Sequence, residues 1–124
     1  MRRKLTPRKS LTLKLDKIFS EIVRSKGRCE RCGKTERLQC SHIYSRKNKW
    51  LRWDTENGMA LCCGCHFFWW HQEPAEAIRW AMTKRNFDYL DKLKQINRPM
   101  KIQDMEEILV RLKTTPIFIP DDSC

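Results

Sequence analysis

The chain has 124 residues, of which 26 are lysine or arginine and 15 are aspartate or glutamate, so its formal net charge is +11. This length suits one compact domain and leaves no room for a second independent core. No segment has the ~20 consecutive apolar residues that a bilayer crossing needs, and the basic N-terminus lacks the apolar segment of a secretory signal. We therefore expect a soluble intracellular protein that does not bind a membrane.

The positive charge is concentrated in the first part of the chain. Residues 1–52 carry 17 basic and 4 acidic side chains, a net charge of +13, whereas residues 53–124 carry 9 basic and 11 acidic side chains, a net charge of −2. Such a positive field attracts polyanions and releases counterions from phosphates. Nucleic acid is the favoured partner, although basic segments also bind acidic proteins and membrane surfaces.

The N-terminal region is predicted to form an arm followed by a helix. Residues 1–10 contain five basic residues and Pro7, a composition typical of a flexible arm that lies along a phosphate backbone. Between Thr12 and Lys26 apolar residues recur at steps of three and four, which predicts a helix that ends before Gly27. The predicted buried stripe of this helix consists of Leu15, Ile18, Phe19, Ile22 and Val23.

Two short strands around a long loop are predicted next. An apolar-alternating run over residues 38–43 and a second run over 59–62 indicate the strands. The loop of residues 44–57 is long for a hairpin, and its mixture of side chains favours function over packing. Its basic residues are Arg46, Lys47, Lys49 and Arg52, and its tryptophans, which either pack the loop or stack on bases, are Trp50 and Trp53.

Helices are predicted for most of the remaining chain. The first runs from about Gly64 to His71, because Pro74 disfavours helical geometry at Glu73. The helical period then recurs over residues 74–84, 87–96 and 102–112, and these helices are expected to support the core. For Trp69 and Trp70 core packing is favoured over a ligand role. Residues 114–124 are predicted to form an extended tail.

Seven cysteines, an odd number without a secretory context, argue against a disulfide framework and favour a metal site. Two C-x2-C pairs supply four thiolates, which form a closed tetrahedral shell of the kind that holds structural zinc. Cys63 has poorer spacing, Cys40 is interpreted as a small strand residue, and Cys124 as a free terminal thiol. The alternative interpretation is a set of buried reduced cysteines. The predicted zinc ligands are Cys29, Cys32, Cys62 and Cys65.

The residues between and after the cysteine pairs follow a recognisable order. Ser41 and His42 end the first predicted strand, Asn57 precedes the second, and His66 follows the last predicted zinc ligand. Over residues 29–66 this order resembles the HNH endonuclease superfamily. The motif of that superfamily runs C-x2-C, a strand ending in Asp-His or similar, Asn before a second strand, and C-x2-C-His or C-x2-C-Asn. The run LQCSHIYSRKNKWLRWDTEN is also similar to phage recombination nucleases of the Rap (NinG) type.

The resemblance implies a ββα-metal core and, for the whole chain, an α+β fold. We expect a zinc-stapled core over about residues 27–73 within a single nuclease domain of residues 11–113. The helices of residues 74–113 belong to that domain, the arm precedes it and the tail follows it. The resemblance also implies DNA as the substrate and a phage- or bacterium-encoded enzyme that acts in the cytoplasm of a bacterial host.

Three residues receive roles from the resemblance. His42 takes the position of the general base that activates water, a task that suits a neutral imidazole with a pKa near 6.5. His66 takes the position of the ligand that holds a catalytic divalent ion, Mg²⁺ or Mn²⁺, against the phosphate. Asn57 takes the position of the asparagine that braces the loop and orients the base. The structural alternatives are ordinary surface or core histidines and a turn residue before Gly58.

Ser41 departs from the family pattern, which places a carboxylate or a second histidine directly before the base. Because serine is a poor ligand, either His66, the substrate phosphate and water hold the ion, or another side chain completes the shell. On an ideal helix His71 lies about 140° around the axis from His66, so it fits only if the helix unwinds before Pro74. The residues considered as the additional ligand are His71, Asp54 and Glu73.

Two functions of different classes fit these residues. The first is hydrolysis of a DNA phosphodiester, which gives a nick or, in a homodimer, a double cut. The loop would then supply the phosphate contacts, and one of its arginines would stabilise the transition state. The residues expected to contact phosphates are Arg46, Lys47, Lys49 and Arg52. The second is a catalytically inactive zinc-ribbon module that binds DNA or a phage or host protein. A redox switch is disfavoured because no thioredoxin-like βαβ pattern accompanies the cysteine pairs.

Overall fold

The computed structural model describes residues 4–116, so Cys124 and most of the predicted tail lie outside the described residues. A 3-10 turn, Thr55–Asn57, precedes the second strand, and a π-helical turn, His66–Trp70, continues the third helix. The predicted α+β class is confirmed. The helices and strands are α1 (Pro7–Arg24), β1 (Leu38–His42), α2 (Lys49–Arg52), β2 (Gly58–Cys62), α3 (Cys63–Cys65), α4 (Pro74–Met82), α5 (Phe87–Lys94) and α6 (Ile102–Thr114).

Helix α1 begins at Pro7, earlier than the predicted start at Thr12. Residues 7–10 are therefore helical, and the prediction that they belong to a flexible arm is wrong. The Thr6 hydroxyl oxygen accepts a hydrogen bond from the Lys9 amide at 3.2 Å, and Pro7 occupies the first helical position, where its missing N–H is not needed. A threonine followed by proline is a helix-start signal, and the density of basic residues obscured it.

The two predicted strands are confirmed and form an antiparallel pair in which His42 lies opposite Gly58. Helix α1 packs against this pair very closely. A Cβ atom added to Gly58 would lie 2.6 Å from Val23 Cγ2 and 2.9 Å from Phe19 Cζ. Because only glycine permits this approach, Phe19 can stack on the His42 ring, with a centroid distance of 5.3 Å.

Strand β2 divides the apolar core into two clusters, because alternate residues of a strand point to opposite faces. Ala60 joins the cluster between α1 and α6, which includes Leu15 and Met105. Met59 and Leu61 join the other cluster. The second cluster lies beneath the π-helical turn and helices α4 and α5, and its further members include Trp69, Trp70, Ala77 and Leu90.

Helices α4 to α6 confirm the prediction of core-supporting helices after Pro74. Each begins at the predicted residue and ends within two residues of its predicted end. Helix α6 packs along α1 and so joins two distant parts of the chain. Within residues 4–116, no helix is both long and apolar enough to cross a bilayer.

Candidate metal centre and active-site cleft

The two cysteine pairs converge on one point. The Sγ atoms of Cys29, Cys32, Cys62 and Cys65 all lie within 4.8 Å of one another. The separation of Cys32 Sγ and Cys62 Sγ is 3.6 Å. A tetrahedral zinc ion with Zn–S bonds of about 2.3 Å requires sulfur separations of about 3.8 Å. The four predicted ligands therefore fit a structural zinc ion with little rearrangement.

The backbone prearranges both pairs. The amide of Cys32 donates to Cys29 Sγ, and the amide of Cys65 donates to Cys62 Sγ, each over 3.5 Å. Gly33, directly after the first pair, has a φ of +81°, a left-handed conformation that glycine adopts without steric cost. Cys63 is half-buried and lies outside the cluster, as its spacing predicted.

Glu30, between Cys29 and Cys32, anchors the cysteine cluster to the rest of the fold. Its carboxylate accepts hydrogen bonds from the Ala60 amide and from Arg85, each at 2.7 Å, and pairs with Lys26 at 3.0 Å. Burial on its own raises the pKa of Glu30, but the hydrogen bonds from Ala60 and Arg85 outweigh it and hold that pKa below its usual value. Sequence analysis missed this anchor because its partners are distant in the chain.

A cleft of about 430 Å³ lies between helix α1, strand β1 and the π-helical turn. All three histidines of the chain line it, so the structure brings the three predicted imidazoles to one place. The cleft is open to solvent on one side. Besides His42, His66 and His71, its lining includes Asp16, Ser41 and Arg46.

The hydrogen bonding of His42 defines which ring nitrogen can accept a proton. Its Nε2 atom lies 3.0 Å from the backbone oxygen of Arg52. A carbonyl oxygen only accepts, so Nε2 carries the proton of the neutral ring and Nδ1 keeps the lone pair. Burial lowers the pKa of His42 below its ordinary value of 6.5, and the nearby charge of Arg46 acts in the same direction. The ring is therefore neutral at pH 7.

Asn57 is fully buried and braces the loop that holds His42. Its Oδ1 accepts from the Tyr44 amide at 2.8 Å, and its Nδ2 donates to the backbone oxygens of Tyr44 and Leu51, each at 3.1 Å. Tyr44 is two residues after His42, and Leu51 is directly before Arg52. Asn57 thus fixes both the strand end that carries the ring and the backbone that binds it, through bonds of the predicted kind.

The π-helical turn brings His66 and His71 together. The His71 amide donates to the His66 oxygen over 3.2 Å, and the two Nε2 atoms lie 2.9 Å apart. This is the unwinding before Pro74 that a pairing of these residues requires. An ideal α-helix would have separated the rings.

The tautomer of His66 follows from its second ring nitrogen. The Gln39 side-chain oxygen accepts a hydrogen bond from Nδ1 of His66, which leaves the lone pair on Nε2, on the side of His71. Burial and the neighbouring His71 lower the pKa of His66. The Nε2 atoms of His66 and His71 therefore form a pair of adjacent nitrogens at the edge of the cleft.

The Ser41 hydroxyl group has no hydrogen-bond partner among the described residues. Its side chain is 1% exposed, and its Oγ atom is buried without a hydrogen-bond partner. Ser41 and Gln39 lie on the same face of β1 because side chains alternate along a strand, so Ser41 lies on the side of the sheet that faces the π-helical turn. Buried hydroxyl groups are ordinarily paired, and this one is available to a water molecule or a ligand.

The other residues considered as ligands lie elsewhere. Asp54 lines a separate cleft and accepts a hydrogen bond from the Tyr89 hydroxyl. Glu73 is exposed and does not line the histidine cleft. Of the additional ligands considered, the structure brings only His71 to His66.

The basic residues of the loop differ in their surroundings. Arg46 is exposed and lines the cleft, Lys47 is exposed, and Lys49 is half-buried. Arg52, in contrast, makes two hydrogen bonds with the Asp16 carboxylate, at 2.9 and 2.7 Å. Arg52 therefore joins the loop to helix α1, and its guanidinium is not an open phosphate contact as predicted.

The tryptophans have structural positions. Trp53 is 1% exposed and donates its Nε1–H to Asp16 at 2.8 Å. Trp50 donates to a backbone oxygen near the start of α6. Both pack the loop, and Trp69 and Trp70 are buried in the core as predicted.

Comparisons with protein-family models, with curated proteins and with solved structures found no match to this chain. Sequence analysis missed three residues at or beside the histidine cleft: Asp16, Phe19 as the stacking partner of His42, and Gln39. Asp16 and Phe19 lie on α1, and the helical period gave no sign that this helix forms one side of the cleft.

Proposed function

We propose that the protein is a metal-dependent DNA endonuclease of the HNH type. The observation that carries the proposal is the cleft in which a neutral His42 and the pair His66–His71 line one open space. In the proposed reaction a DNA phosphate enters this space, His42 acts as the base on one side of it, and a divalent ion binds on the other side.

The groups of the cleft fit a divalent cation. His66 Nε2 carries a lone pair, His71 Nε2 lies 2.9 Å from it, and the Ser41 hydroxyl has no other partner. In this proposal His66 and His71 would hold the divalent ion, Mg²⁺ or Mn²⁺. When bound, the ion neutralises the charge that develops on the leaving oxygen.

His42 acts as the general base in this proposal. Its Nδ1 lone pair takes one proton from a water molecule, and the water oxygen forms a bond to phosphorus while the bond from phosphorus to the leaving oxygen breaks. Because Nε2 is held by the Arg52 carbonyl, the ring keeps the orientation that this transfer needs. The hydrogen bond from Nε2–H to that carbonyl also stabilises the positive charge that the ring acquires.

The substrate class follows from charge. Arg46 on the cleft wall and the exposed Lys47 beside it attract the phosphate backbone. The zinc cluster fixes the start of α3 and thereby the position of His66, because Cys65 is the residue directly before it. Asn57 fixes the opposite side. The thiolates thus have a supporting role and the imidazoles a chemical one.

A supercoiled-plasmid assay with Mg²⁺ or Mn²⁺ tests the proposal. We expect the unaltered protein to nick or linearise the plasmid, and His42→Ala to lose a factor of about 10²–10⁴ in rate, the usual contribution of a general base. Zinc content and thermal melting serve as controls for folding, and both should be unchanged in the variant. Equal cleavage by the two proteins would remove His42 from the mechanism.

A second candidate is a zinc module that binds DNA without cutting it. The observation that favours it is Ser41, which stands where the resembled family has a carboxylate or a histidine. In this case the protein would bind DNA in a salt-dependent manner, and neither divalent ion would induce cleavage by the intact chain. The plasmid assay therefore distinguishes the two candidates directly.

A further inference from the structure

Two consecutive phenylalanines are exposed on the outside of the cleft wall. Phe68 is 74% exposed and Phe67 is 52% exposed. Both belong to the π-helical turn, between the cleft residues His66 and His71, and the Phe67 ring lies 5.7 Å from the His66 ring. The next two residues of the turn, Trp69 and Trp70, are buried.

The fold does not use the outer pair. Trp69 and Trp70 fill the core beneath the turn, and neither phenylalanine belongs to either core cluster. Folding gains little from phenyl rings that remain in water, and adjacent exposed aromatic rings ordinarily mark a binding surface. This surface adjoins the cleft, so its occupant should be part of the molecule whose phosphate enters the cleft.

Charge identifies the chemistry of that occupant. Arg46 lines the cleft and the neighbouring Lys47 is exposed, while the exposed Arg31 lies over the ring of Trp69, the residue directly after Phe68, at 4.0 Å. An occupant that satisfies these cations and the phenyl rings must carry negative charges and flat aromatic faces. Nucleic acid has both, and its bases stack on phenylalanine regardless of sequence.

We propose that Phe67 and Phe68 form an aromatic wedge that stacks on unpaired bases beside the phosphate in the cleft. The favoured substrate is then DNA in which base stacking is already disrupted, and the choice of DNA rests on the proposed function. In a fully paired duplex each base face is covered by its neighbours, so insertion must first separate a base step. Unpaired bases remove that requirement.

A second copy of the chain fits this surface poorly. Each phenylalanine side chain has at most about 250 Å² of surface, of which 52% is exposed for Phe67 and 74% for Phe68. The pair therefore offers about 300 Å² in one copy and about 600 Å² in two copies, whereas a stable protein interface buries at least about 1,000 Å² in total. Other strongly exposed apolar residues lie on different elements, with Leu13 on α1 and Val110 on α6.

The test measures binding to two DNA probes in the His42→Ala background, which prevents cleavage during the measurement. One probe is a short paired duplex, and the other has the same sequence with an internal run of unpaired bases; both carry the fluorescent base analogue aminopurine. The protein should bind the disrupted probe more tightly. Phe67→Ala combined with Phe68→Ala should weaken that binding about tenfold or more, the effect of losing one base stack, and leave paired-duplex binding unchanged.

The controls separate stacking from general effects. Val110→Ala removes a side chain that is 63% exposed on α6 and should leave both affinities unchanged. Phe67→Tyr combined with Phe68→Tyr keeps two aromatic faces and should retain the preference. The dependence of binding on salt should be the same in all variants, because none of them changes a phosphate contact.

Three results would overturn the proposed wedge. The first is equal affinity for both probes when Phe67 and Phe68 are unaltered, and the second is an unchanged preference for the disrupted probe in the double alanine variant. The third is light scattering showing that the protein is a dimer and that the double alanine variant is a monomer. The last result would identify a second copy as the occupant. If the unaltered protein does not cleave the plasmid but still prefers unpaired bases, the proposed nuclease function is refuted. The wedge then remains as part of a DNA-binding module.

Discussion

The cysteine cluster and the histidine cleft differ in how far they enclose their sulfur and nitrogen atoms. The cluster brings four thiols within 4.8 Å of one another and buries three of them, so a zinc ion would have no open position. The cleft holds imidazoles beside an open space of about 430 Å³ and a buried hydroxyl without a partner. A closed shell supports a fold, whereas an open one leaves positions for water and substrate.

The largest effect is expected from opening the closed shell. Cys29→Ser should unfold the protein, because structural zinc contributes about 10–16 kcal/mol to small zinc domains, as much as the whole stability of a typical domain, about 5–15 kcal/mol. Far-ultraviolet circular dichroism and zinc content measure the result. Cys63→Ser, one residue from a predicted ligand but outside the cluster, is the matched control and should keep its zinc. A Cys29→Ser protein that is folded but contains no zinc would contradict the prediction that folding requires the ion.

Asn57→Ala should have the next largest effect, on the cleft side. The change leaves the Tyr44 amide and the Tyr44 backbone oxygen without partners, whereas the Leu51 oxygen keeps its hydrogen bond from the Asp54 amide. Each buried group without a partner costs about 1–3 kcal/mol. We expect a loss of about 3 kcal/mol in the free energy of unfolding by urea. Asn48→Ala, which removes a helix cap in the same loop, should cost only about 1 kcal/mol. Similar losses in both variants would contradict the bracing role.

Gly58→Ala tests the contact between α1 and the sheet. The new methyl group would overlap Val23 and Phe19, and such overpacking typically costs about 1–3 kcal/mol. It should also displace Phe19 from the His42 ring and so reduce cleavage. Gly64→Ala meets no atom within 4 Å and is the control. Equal thermal stability of the two variants would show that α1 shifts without cost.

Ser41→Ala should have the smallest effect on folding. No hydrogen bond is lost, because its hydroxyl oxygen has no partner in the fold, so the free energy of unfolding should change by less than about 1 kcal/mol. In the plasmid assay, however, the variant should require severalfold more Mg²⁺ or Mn²⁺ for half-maximal cleavage. An unchanged ion requirement would exclude the hydroxyl from the ion and its water, and a large loss of stability would reveal an unseen partner.

The comparison also explains how much of the molecule the sequence predicts. Cysteine spacing identified the cluster because a C-x2-C pair is itself the local geometry of a zinc knuckle. Strands β1 and β2 and helices α4 to α6 followed from the period of apolar residues. These features are local, and a single sequence contains them.

The cleft depends on contacts that the spacing of apolar residues along the sequence does not predict. His71 reaches His66 only because the turn is π-helical, and this turn must place Cys65 in the cluster while it buries both Trp69 and Trp70. The pairing of Arg52 with Asp16 connects residues far apart in sequence, so the charge of Arg52 alone suggested a phosphate contact. Long-range packing determines both the His66–His71 pair and the Arg52–Asp16 pair, and local sequence propensities do not predict such packing.

The packing of α6 along α1 has a consequence for the timing of synthesis. Helix α1 leaves the ribosome first and supplies the Phe19 side of the cleft, but part of its apolar face is covered only by α6, through residues such as Met105. Before α6 is synthesised, a nascent chain can already place α1 against the strand pair and bring the four thiols together, but the apolar face of α1 that α6 covers stays in water. This face is therefore open to unwanted association until α6 has packed on it.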